Sequence, residues 1–576
     1  MIRLFTLFPG WLVLWLVLVA PLQALEVRET IWGFDGKVVP GRFNPFSVLI
    51  ENPTNTVFDG PLMLVPSDGA GNSRGAEYVQ PLFLAPRTTR WVQFHVFIGN
   101  YPGSFALIWG RGPKARYDLP SAPNLGAPAC VWLRDADNVF SAVGAMKSFP
   151  DTLFPTTVAA TDTLDAVVLD HVPNWEPTRR EAFRLWVERG GTVHLLTGSS
   201  GAYPQFADDL AVLNTAQDQA RVGAGQVVRH TIAAREMREQ YLTERGFPPR
   251  TLKQTQGPVI YDLESTLFRR LSSLTRPDIN WTAIHLLAIA YIGVIGPLHF
   301  RYRRRIDYRV SIFVFLGVVL LFGTAFALIG RRGYGESQTS HSLSIARVLG
   351  GGRCDVTQWT NAFVTDGALY TLTHNAPANL YATDNSVDSG GGQILNGKDG
   401  RLFLDIPLYS SRAFLHRAVM LADDPGVKIE KWDDSDARRG LRLKPGPGFP
   451  KDFVDARLVV GDRIYDLSWE GGALIVKNPG GQLVSQVFSK SNLQPLTYQN
   501  QSSGAKNPHR DMMPLLAAYV LNPPDIFQQN ISAPPAAKDR ALLMVVAAAP
   551  PSFSLQGKGF TRESGWVLYV QDLFKP

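Results

Sequence analysis

The strongest constraint in this sequence is a pair of long apolar runs that carry no charged side chain. Residues 282–300 and 310–330 contain no Asp, Glu, Lys or Arg. A helix needs about 20 predominantly apolar residues to cross roughly 30 Å of hydrocarbon, and both runs meet that length. They predict two transmembrane helices, at 281–300 and 310–330. The alternative is a pair of buried helices in a soluble core, where uncharged runs of this length are rare.

A cluster of arginines separates the two runs, in the sequence HFRYRRRIDYR at 299–309. Short loops rich in Lys and Arg remain on the cytoplasmic side of a membrane. We therefore predict that the loop 301–309 is cytoplasmic and orients the hairpin. Arg331 and Arg332 follow the second run on the opposite side, but two charges do not outweigh the loop. The topology-determining residues are Arg301, Arg303, Arg304, Arg305 and Arg309.

The N-terminal segment predicts export of the chain that follows it. MIRLFTLFPGWLVLWLVLVAPLQALEV contains the basic residue Arg3, an apolar run at 11–20 and a small residue, Ala24, at a position suited to signal-peptidase cleavage. We predict a signal peptide at 1–24. Leu22 makes the cleavage site imperfect, so a retained signal anchor is the alternative. Either outcome places 25–280 outside the cytoplasm, and the second membrane helix returns 331–576 to the same side.

Composition limits the classes of partner. The net charge of +7 is spread along the 576 residues apart from the arginine loop, which predicts no nucleic-acid partner. Two cysteines, Cys130 and Cys354, are too few for a disulfide framework. Two unpaired buried thiols are the favoured interpretation, and a single bridge between them is the alternative.

Periodicity divides the exported chain into β and α/β regions. At 25–120, stretches such as TRWVQFHVFIG alternate apolar and polar residues between Gly, Pro and Asn turns, which predicts an immunoglobulin-like β-sandwich. At 128–235 strands and helices alternate, which predicts a parallel sheet with helices on its faces. CVWLRDAD, LDAVVLD and TVHLLTG are the predicted strands, and NVFSAVGAMKSF and PTRREAFRLWVERGG are the predicted helices.

The remaining segments connect to the membrane or follow it. DLESTLFRRLSSL forms a predicted amphipathic helix in a linker at 236–280. The region 331–576 returns to strand patterns, with a hairpin predicted at the Gly-Asp turn 461–462 and a helix predicted in RDMMPLLAAYVL. We predict one exported β-rich domain of sandwich type there, with two such domains as the alternative. The predicted fold is thus multidomain, combining α/β and all-β regions.

A resemblance extends the interpretation of residues 130–350. The series LDAVVLDHVPNWEPTRREAFRLWVERGGTVHLLTG, VGAGQVV and GPLHFRYRRRIDYR resembles a group of uncharacterised bacterial membrane proteins. Their exported α/β domain is similar to class I glutamine amidotransferases, which implies a flavodoxin-like or amidotransferase-like fold. Members often occur alongside MoxR-type ATPases and von Willebrand factor A domain proteins. The resemblance therefore implies a bacterial inner-membrane protein with periplasmic soluble regions and envelope proteins as partners.

The catalytic signature of the resembled enzymes is absent. Those enzymes place a nucleophilic cysteine on a strand-to-helix elbow between glycines. This chain has Gly198-Ser199-Ser200-Gly201 after the strand TVHLLT, with no cysteine and with the glycines one residue too close. Ser199 or Ser200 remains a candidate nucleophile only if His171 or His230 acts as its base and Asp170 orients that base. A structural turn is the favoured interpretation.

Other candidate sites are weaker. Asp135, Asp137 and Asp170 follow predicted strands, at the edge where α/β sheets bind ligands. His194 lies inside a strand and is predicted to be a hydrogen-bonded sheet residue. KWDDSDARRG lacks the spacing of a calcium-binding EF-hand, so Asp433, Asp434 and Asp436 are predicted to lie in a solvated loop. No pattern predicts a metal site or a cofactor.

Two functional hypotheses follow from these patterns. The first is a membrane-anchored envelope interaction or scaffold protein whose α/β domain is catalytically degenerate. The second is an exported serine-dependent amidase or transferase that uses Ser199 or Ser200. The missing cysteine and the glycine spacing favour the first.

Overall fold

A computed structural model describes residues 25–575 apart from the following gaps: 68–74, 100–102, 111–114, 136–145, 199–200, 239–240, 242–258, 276–280, 299, 302–304, 306, 331–336, 384–390, 433–439, 489–509, 522–539, 557–558 and 561. The signal-peptide prediction at 1–24 lies outside the described residues. So do five of the singled-out positions and the candidate calcium loop: Asp137, Ser199, Ser200, Arg303, Arg304 and 433–439. The described fold is mixed α/β and mostly β.

The N-terminal region forms antiparallel strands in two sheets. Its strands are β1 Glu26–Trp32, β2 Arg42–Glu51, β3 Phe58–Ser67, β4 Glu77–Leu84, β5 Thr89–Ile98, β6 Ser104–Trp109 and β7 Ala115–Asp118. One sheet has the order β1-β2-β5, and β4-β3-β6-β7 belong to the other. Alternation of side chains directs Phe46, Val48 and Ile50 of β2 to the buried face. The turn after β2 is closed by Asn52, whose side-chain amide donates to the Thr56 carbonyl over 2.8 Å.

The second region is built on a mainly parallel sheet. Its elements are β8 Ala129–Arg134, β9 Lys147–Pro150, β10 Leu164–Leu169, α1 Pro177–Arg189, β11 Thr192–Thr197, β12 Gln219–Val222 and β13 Gly225–Ala233. The sheet order is β12-β13-β11-β10-β8-β9, in which β12 alone among these strands pairs antiparallel. Pro177 begins α1, and Gly190 ends it at a φ of 133° that favours glycine.

One predicted helix of this region is partly wrong. The pattern NVFSAVGAMKSF predicts a helix over 138–149, but 147–150 form the strand β9, parallel to β8. Residues 138–145 lie outside the described part. Pairing with β8 overrides the helix propensity of the Ala- and Met-containing sequence, as tertiary contacts often do for short strands.

Three helices follow: α2 Val259–Leu274, α3 Trp281–Gly293 and α4 Tyr308–Gly330. Within the described residues, one helical segment, Tyr308–Leu328, is long and apolar enough to span a membrane, and 6% of its most apolar window is buried. The apolar helix Thr282–Pro297 is shorter, so a second span is not confirmed. Its last turn, Val294–Leu298, is a π-helix that contains Pro297. Proline lacks the backbone N–H that continues a regular helix, which accounts for the interruption.

Helices α3 and α4 form a hairpin that the other described residues leave largely uncovered. The rings of Tyr291 and Phe322 lie 5.2 Å apart across it. Large apolar side chains such as Leu286 (63% exposed) and Phe313 (75% exposed) point away from the protein. A helix of a soluble core buries such side chains, so this exposure disfavours the soluble-core alternative. Arg301, Arg305 and Arg309 are exposed at the connection between the two apolar runs.

The C-terminal region carries most of the strands. Its elements are β14 Thr339–Gly350, β15 Arg353–Val364, β16 Ala368–His374, β17 Leu380–Thr383, β18 Gly392–Leu395, β19 Arg401–Ile406, β20 Ser410–Leu421, β21 Val427–Lys431, β22 Arg442–Pro445, β23 Asp455–Val460, β24 Arg463–Glu470, β25 Ala473–Val476, β26 Gln482–Leu483, α5 Val484–Val487, α6 Met513–Leu521, β27 Arg540–Ala548, β28 Leu555–Gln556 and β29 Arg562–Phe574. The predicted hairpin at 461–462 is confirmed, with Val460 opposite Arg463.

A large sheet dominates this region, in the order β17-β20-β15-β14-β29-β27-β23-β24-β25-β22-β21, with β26 paired to β24. The predicted amphipathic helix is α2, and it packs its apolar side, Leu267, Phe268 and Leu271, into a core shared with Trp359. The predicted helix in 510–521 is α6, which adds Leu515 and other residues to the same core.

The N- and C-terminal β regions share one sheet and one core. Strand β18 pairs in parallel with β4, which places Ile394 opposite Tyr78 and joins β28-β16-β19-β18 to β4-β3-β6-β7. The core between them includes Phe46 and Leu64 from the N-terminal region and Tyr381 from the C-terminal region. The spans 25–120 and 331–576 therefore pack as a continuous β structure.

Candidate functional site

The carboxyl edge of the parallel sheet brings the sequence-predicted carboxylates near one another. In the sheet, β8 lies between β9 and β10. Asp135 directly follows β8, and Asp170 directly follows β10. In open α/β sheets the crevice between two such strands is the usual place for ligands. Asp135 and Asp170 thus lie at this edge, and ligand binding by them stays a prediction.

His171 is held between two carboxylates at this edge. Its Nδ1 lies 3.0 Å from Asp170 Oδ1, and its Nε2 lies 3.4 Å from Asp151 Oδ2. Asp151 follows β9 and is buried, and the Trp175 indole N–H donates to its backbone carbonyl over 2.8 Å. Sequence patterns do not single out Asp151, because the stretch before it predicts a helix. The preceding strand signal, KSFP, is only four residues long.

These carboxylates keep the histidine charged. Burial lowers the pKa of His171, but hydrogen bonds to Asp151 and Asp170 and their negative charges outweigh burial and raise the pKa to about 9. Both ring nitrogens therefore carry protons at neutral pH, and both face carboxylates. A general base for serine needs one unprotonated nitrogen directed at the hydroxyl. In this arrangement His171 is a fixed cation.

We expect the contribution of His171 to the free energy of unfolding to decrease at alkaline pH. The folded-state pKa lies above the ordinary value of 6.5, so the contribution is fully present below pH 6.5 and is lost as the pH rises through about 9. The free energy of unfolding of wild type minus that of His171→Gln, measured by denaturant titration, should therefore shrink between those values.

His95→Gln is the control for this titration. Burial lowers the pKa of His95 to about 4, so His95 stays neutral over the same range and its difference from wild type should not change there. A difference for His171→Gln that is constant across the range would contradict the charged-histidine arrangement.

The turn that carries the two candidate serines closes beside Asp170. The Gly198 N–H donates to the Ala202 carbonyl over 2.8 Å, and the Gly201 N–H donates to the Gly198 carbonyl over 3.0 Å. A Cβ added at Gly198 would lie 3.6 Å from the Asp170 carbonyl oxygen. Ser199 and Ser200 themselves lie outside the described residues, so their relation to His171 stays a prediction.

The other candidate histidines form a separate buried pair. His194 Nδ1 lies 3.0 Å from His230 Nε2, and His230 Nδ1 lies 3.1 Å from the Tyr241 hydroxyl. The prediction that His194 is a hydrogen-bonded sheet residue is confirmed. Burial, and then the charge of His230, lower the pKa of His194 to about 3. His194 is therefore neutral at physiological pH and acts as a packing residue of β11.

A cavity of about 470 Å³ lies where the N-terminal, α/β and C-terminal regions meet. Sequence patterns did not indicate it. Its charged lining residues are Arg42, Asp162, Asp165, Arg189, Glu264, Arg347, Asp355, Arg417 and Arg540. Its aromatic lining residues are Phe43, Phe97, Trp186, Trp359 and Tyr519.

One wall of the cavity is a buried ion-pair cluster of Asp162, Arg189, Asp355 and Arg417. Arg417 Nη2 lies 2.9 Å from Asp162 Oδ1 and 2.7 Å from Asp355 Oδ2, and its Nη1 pairs with Asp355 Oδ1. Arg189 Nη1 lies 2.6 Å from Asp162 Oδ1. Burial raises the pKa of Asp162, but the charges of Arg417 and Arg189 outweigh burial and lower the pKa below its ordinary value. The cluster joins the α/β region to β15 and β20.

Three other arginines of the cavity also have protein partners. Arg347 Nη1 lies 2.8 Å from Asp572 Oδ2, and Arg540 Nη2 lies 2.6 Å from Asp572 Oδ1. Arg42 Nη1 donates to the Asp162 backbone carbonyl over 2.6 Å. Because each of these cations already has a protein partner, the cavity is better suited to holding regions together than to binding an anion.

The structure also bears on the predictions for the two cysteines and for metal sites. Cys130 and Cys354 are not joined by a disulfide, so the single-bridge alternative is wrong, and the predicted burial holds in full for Cys354 alone of the two. Cys354 is buried, whereas Cys130 is half-buried. Burial, followed by the charges of Asp355 and Asp424, raises the pKa of Cys354 to about 12, so this thiol is unreactive. No group of three or more potential ligands from His, Cys, Asp and Glu occurs in the part of the chain that the structure describes.

Comparisons with known proteins give no assignment. No family model matches the chain, and no curated protein matches it. A solved alkylpurine DNA glycosylase of Pseudomonas fluorescens aligns at 12% identity over 17% of this chain and 30% of its own, with a TM-score of 0.12. A β-glucuronidase from glycoside hydrolase family 2 aligns at 11% identity over 31% of this chain and 18% of its own, with a TM-score of 0.13. The chain therefore spans less than a third of the length of either protein.

A third solved structure aligns over more of the chain, with a similarly low TM-score. A Paenibacillus sp. cycloisomaltooligosaccharide glucanotransferase aligns at 8% identity over 68% of this chain and 70% of its own, with a TM-score of 0.15. TM-scores this low carry no argument about fold or activity.

Proposed function

We propose that this protein is a membrane-anchored envelope scaffold or interaction protein whose α/β domain is catalytically degenerate. The observation that carries this proposal is the position of His171 between Asp151 and Asp170, with both ring nitrogens engaged. A histidine fixed in this way stabilises a fold and does not accept a proton from a nucleophile.

The finer fold assignments belong to the same proposal. Numbered along the chain, the five parallel strands β8 to β11 and β13 lie in the order 2-1-3-4-5, which is the order of flavodoxin-like folds. This order supports a flavodoxin-like or amidotransferase-like domain at 128–235. The two N-terminal sheets support an immunoglobulin-like sandwich at 25–120.

The anchor is proposed to be the hairpin of α3 and α4 in the inner membrane of a bacterium. Its exposed apolar surface supports insertion into lipid, and the exposed Arg301, Arg305 and Arg309 support a cytoplasmic turn. Both large soluble regions then lie in the periplasm. The first apolar helix, Thr282–Pro297, is shorter, and a bilayer that thins locally around a short helix allows it to span.

Contacts among the N-terminal, α/β and C-terminal regions support a scaffold role. The buried ion-pair cluster and the shared eight-stranded sheet hold the three regions in one arrangement. Such a body presents a large surface to partners without needing a reactive site. We propose other envelope proteins as partners, a von Willebrand factor A domain protein among them, and no nucleic acid.

A serine-reactive fluorophosphonate probe tests the proposal against the amidase or transferase alternative. The intact protein in detergent is treated with the probe, beside the Ser199→Ala/Ser200→Ala variant and an active serine hydrolase as positive control. We expect no labelling of either form of this protein, because the ring nitrogens of both candidate bases, His171 and His230, already contact other side chains. Labelling of wild type that maps to Ser199 or Ser200 and is absent from the variant would overturn the scaffold proposal in favour of covalent catalysis.

A further inference from the structure

We propose that a small apolar surface on the C-terminal β region inserts into the lipid bilayer that holds the helical hairpin. This surface, the apolar tip, consists of Leu369, Leu408 and Tyr409, which are 68%, 62% and 41% exposed. The inference rests on the proposed membrane anchoring and goes beyond it, because it assigns a lipid contact to the soluble body.

Two neighbouring turns form the apolar tip. Residues 365–367 connect β15 to β16, and residues 407–409 connect β19 to β20. The turns touch, since a Cβ added at Gly367 would lie 2.9 Å from the Leu408 backbone nitrogen. Leu369 is two residues beyond Gly367, near the start of β16. Three large exposed side chains are thus grouped at one end of the β structure.

The chain enters the membrane hairpin from this same end. Thr275, next after α2, donates its hydroxyl to the Ser411 hydroxyl over 3.3 Å and accepts a hydrogen bond from the Asn361 amide over 3.3 Å. Ser411 is two residues beyond Tyr409. Five residues lie between Thr275 and Trp281, the start of α3, and a connection of that length spans at most about 20 Å.

The chain also leaves the hairpin at this end. The Gln338 side-chain amide donates to the Tyr370 hydroxyl over 3.4 Å, and Tyr370 is adjacent to Leu369. Seven residues lie between Gly330, the end of α4, and Gln338, and a connection of that length spans at most about 28 Å. Thr275 and Gln338, the described residues from which the chain continues to and from the membrane helices, therefore both lie beside the apolar tip. The short distance from each to its helix keeps this end of the β structure close to the bilayer.

The chemistry of the tip fits lipid contact through apolar insertion. Leucine and tyrosine are favoured where a protein meets the headgroup and acyl boundary. Tyr409 adopts a φ of 50°, a left-handed conformation that is unfavourable for a side chain of this size. The surrounding turn maintains that conformation and keeps the ring 41% exposed. An observed strain of this kind often marks a functional position.

Charges around the tip do not form a basic patch. Asp366 lies in the first turn and Asp405 lies opposite Leu369 in the sheet, while Arg412 follows Ser411. Two carboxylates beside one cation do not attract anionic headgroups. Insertion should therefore be no stronger when the proportion of phosphatidylglycerol in the bilayer is increased.

Site-specific fluorescence of the full chain in vesicles tests this inference. Cys130 and Cys354 are replaced by alanine, Leu408→Cys is labelled with an environment-sensitive fluorophore, and the protein is reconstituted into phosphatidylethanolamine and phosphatidylglycerol vesicles. The matched control is Leu421→Cys, which is 63% exposed at the opposite end of β20. The two ends of this 12-residue strand are about 37 Å apart.

We expect the label at position 408 to shift its emission to the blue and to be quenched by nitroxide-bearing lipids, and the label at 421 to show neither change. Leu369→Cys gives a second labelling position if the label at 408 disturbs folding. Labels at 408 and 369 that stay in water would overturn the inference. A blue shift without quenching by nitroxide lipids would also overturn it, in favour of a protein partner or a second copy on this surface.

Resistance to alkaline carbonate extraction separates this inference from the anchoring proposal. Protein that resists extraction, while its label at 408 stays in water, is anchored without lipid contact at the tip, and only the inference fails. Protein that carbonate removes from the vesicles has no inserted hairpin, and both the anchoring and the inference fail.

Discussion

Replacing Arg417 with methionine is expected to lower the free energy of unfolding by about 3–5 kcal/mol, the range for removing one partner of a buried ion pair. Arg417 is 7% exposed and pairs with both Asp162 and Asp355. Its loss leaves two neighbouring carboxylates buried, with Arg189 as the remaining cation of the cluster. Chemical denaturation of the full chain in detergent, followed by tryptophan fluorescence, measures the effect.

Arg442→Met is the matched control. Arg442 pairs with Glu430 over 2.7 Å, but both side chains are 46% exposed. Exposed pairs contribute about 0–1 kcal/mol because water and salt screen them. An effect of Arg417→Met no larger than that of Arg442→Met would contradict the assignment of a stabilising role to the buried ion-pair cluster.

Acid should weaken the same cluster. The folded-state pKa of Asp162 lies below its ordinary value of 3.8, so its contribution is present above that value and is lost as the pH falls through the folded-state pKa. The difference in stability between wild type and Arg417→Met should therefore decrease in strongly acidic solution. A difference that increases there would contradict the pairing of Asp162 with Arg417.

The N-terminal β region expressed alone, as residues 25–120, is expected not to fold. Its strand β4 loses its neighbour β18, and its core loses the C-terminal side chains that complete it. Those side chains are Ala362, Val364, Leu372, Tyr381, Ile394, Leu402, Leu404, Ile406, Phe414 and Leu555. Each large apolar side chain contributes about 1.5–3 kcal/mol on burial. Exposing several N-terminal side chains that pack against these residues therefore costs an amount comparable with the roughly 5–15 kcal/mol that stabilises a typical domain.

Dispersion of amide proton shifts in the nuclear magnetic resonance spectrum, together with solubility, measures this outcome. Co-expression of 25–120 with 331–576 is the control, and it should recover soluble N-terminal fragment if the shared sheet re-forms. A soluble, well-dispersed fragment 25–120 on its own would show that the region is an independent domain and that the β4–β18 pairing is dispensable.

Local signals in the sequence were sufficient to predict individual helices and turns. Pro177 and Gly190 delimit α1, and Gly461 with Asp462 forms the turn of the β23–β24 hairpin. The apolar face of α2 is also visible in its periodicity. These features depend on residues a few positions apart, because helix caps, tight turns and amphipathic periods are local properties of a chain.

Part of the candidate site could be predicted from the same local signals. Asp135 and Asp170 were placed at the carboxyl edge because each follows a strand, and parallel strands end on one side of their sheet. Asp151 was missed, since β9 is short and its identity as a strand comes from pairing with β8. Because the contact with Asp151 is not visible in the sequence, His171 remained a candidate general base in the sequence analysis.

Sequence by itself determined the mixture of β and α/β regions, the order of those regions and the position of the arginine-rich connection between two apolar runs. Only the tertiary structure decided that β18 adds to β4, that Arg417 meets Asp162 across 255 positions, and that Asp151 reaches His171. The physical reason is that apolar alternation specifies which face of a strand is buried but not which edge it joins. Many strands of this chain offer the same alternation, and the choice among them depends on the packing of the whole molecule.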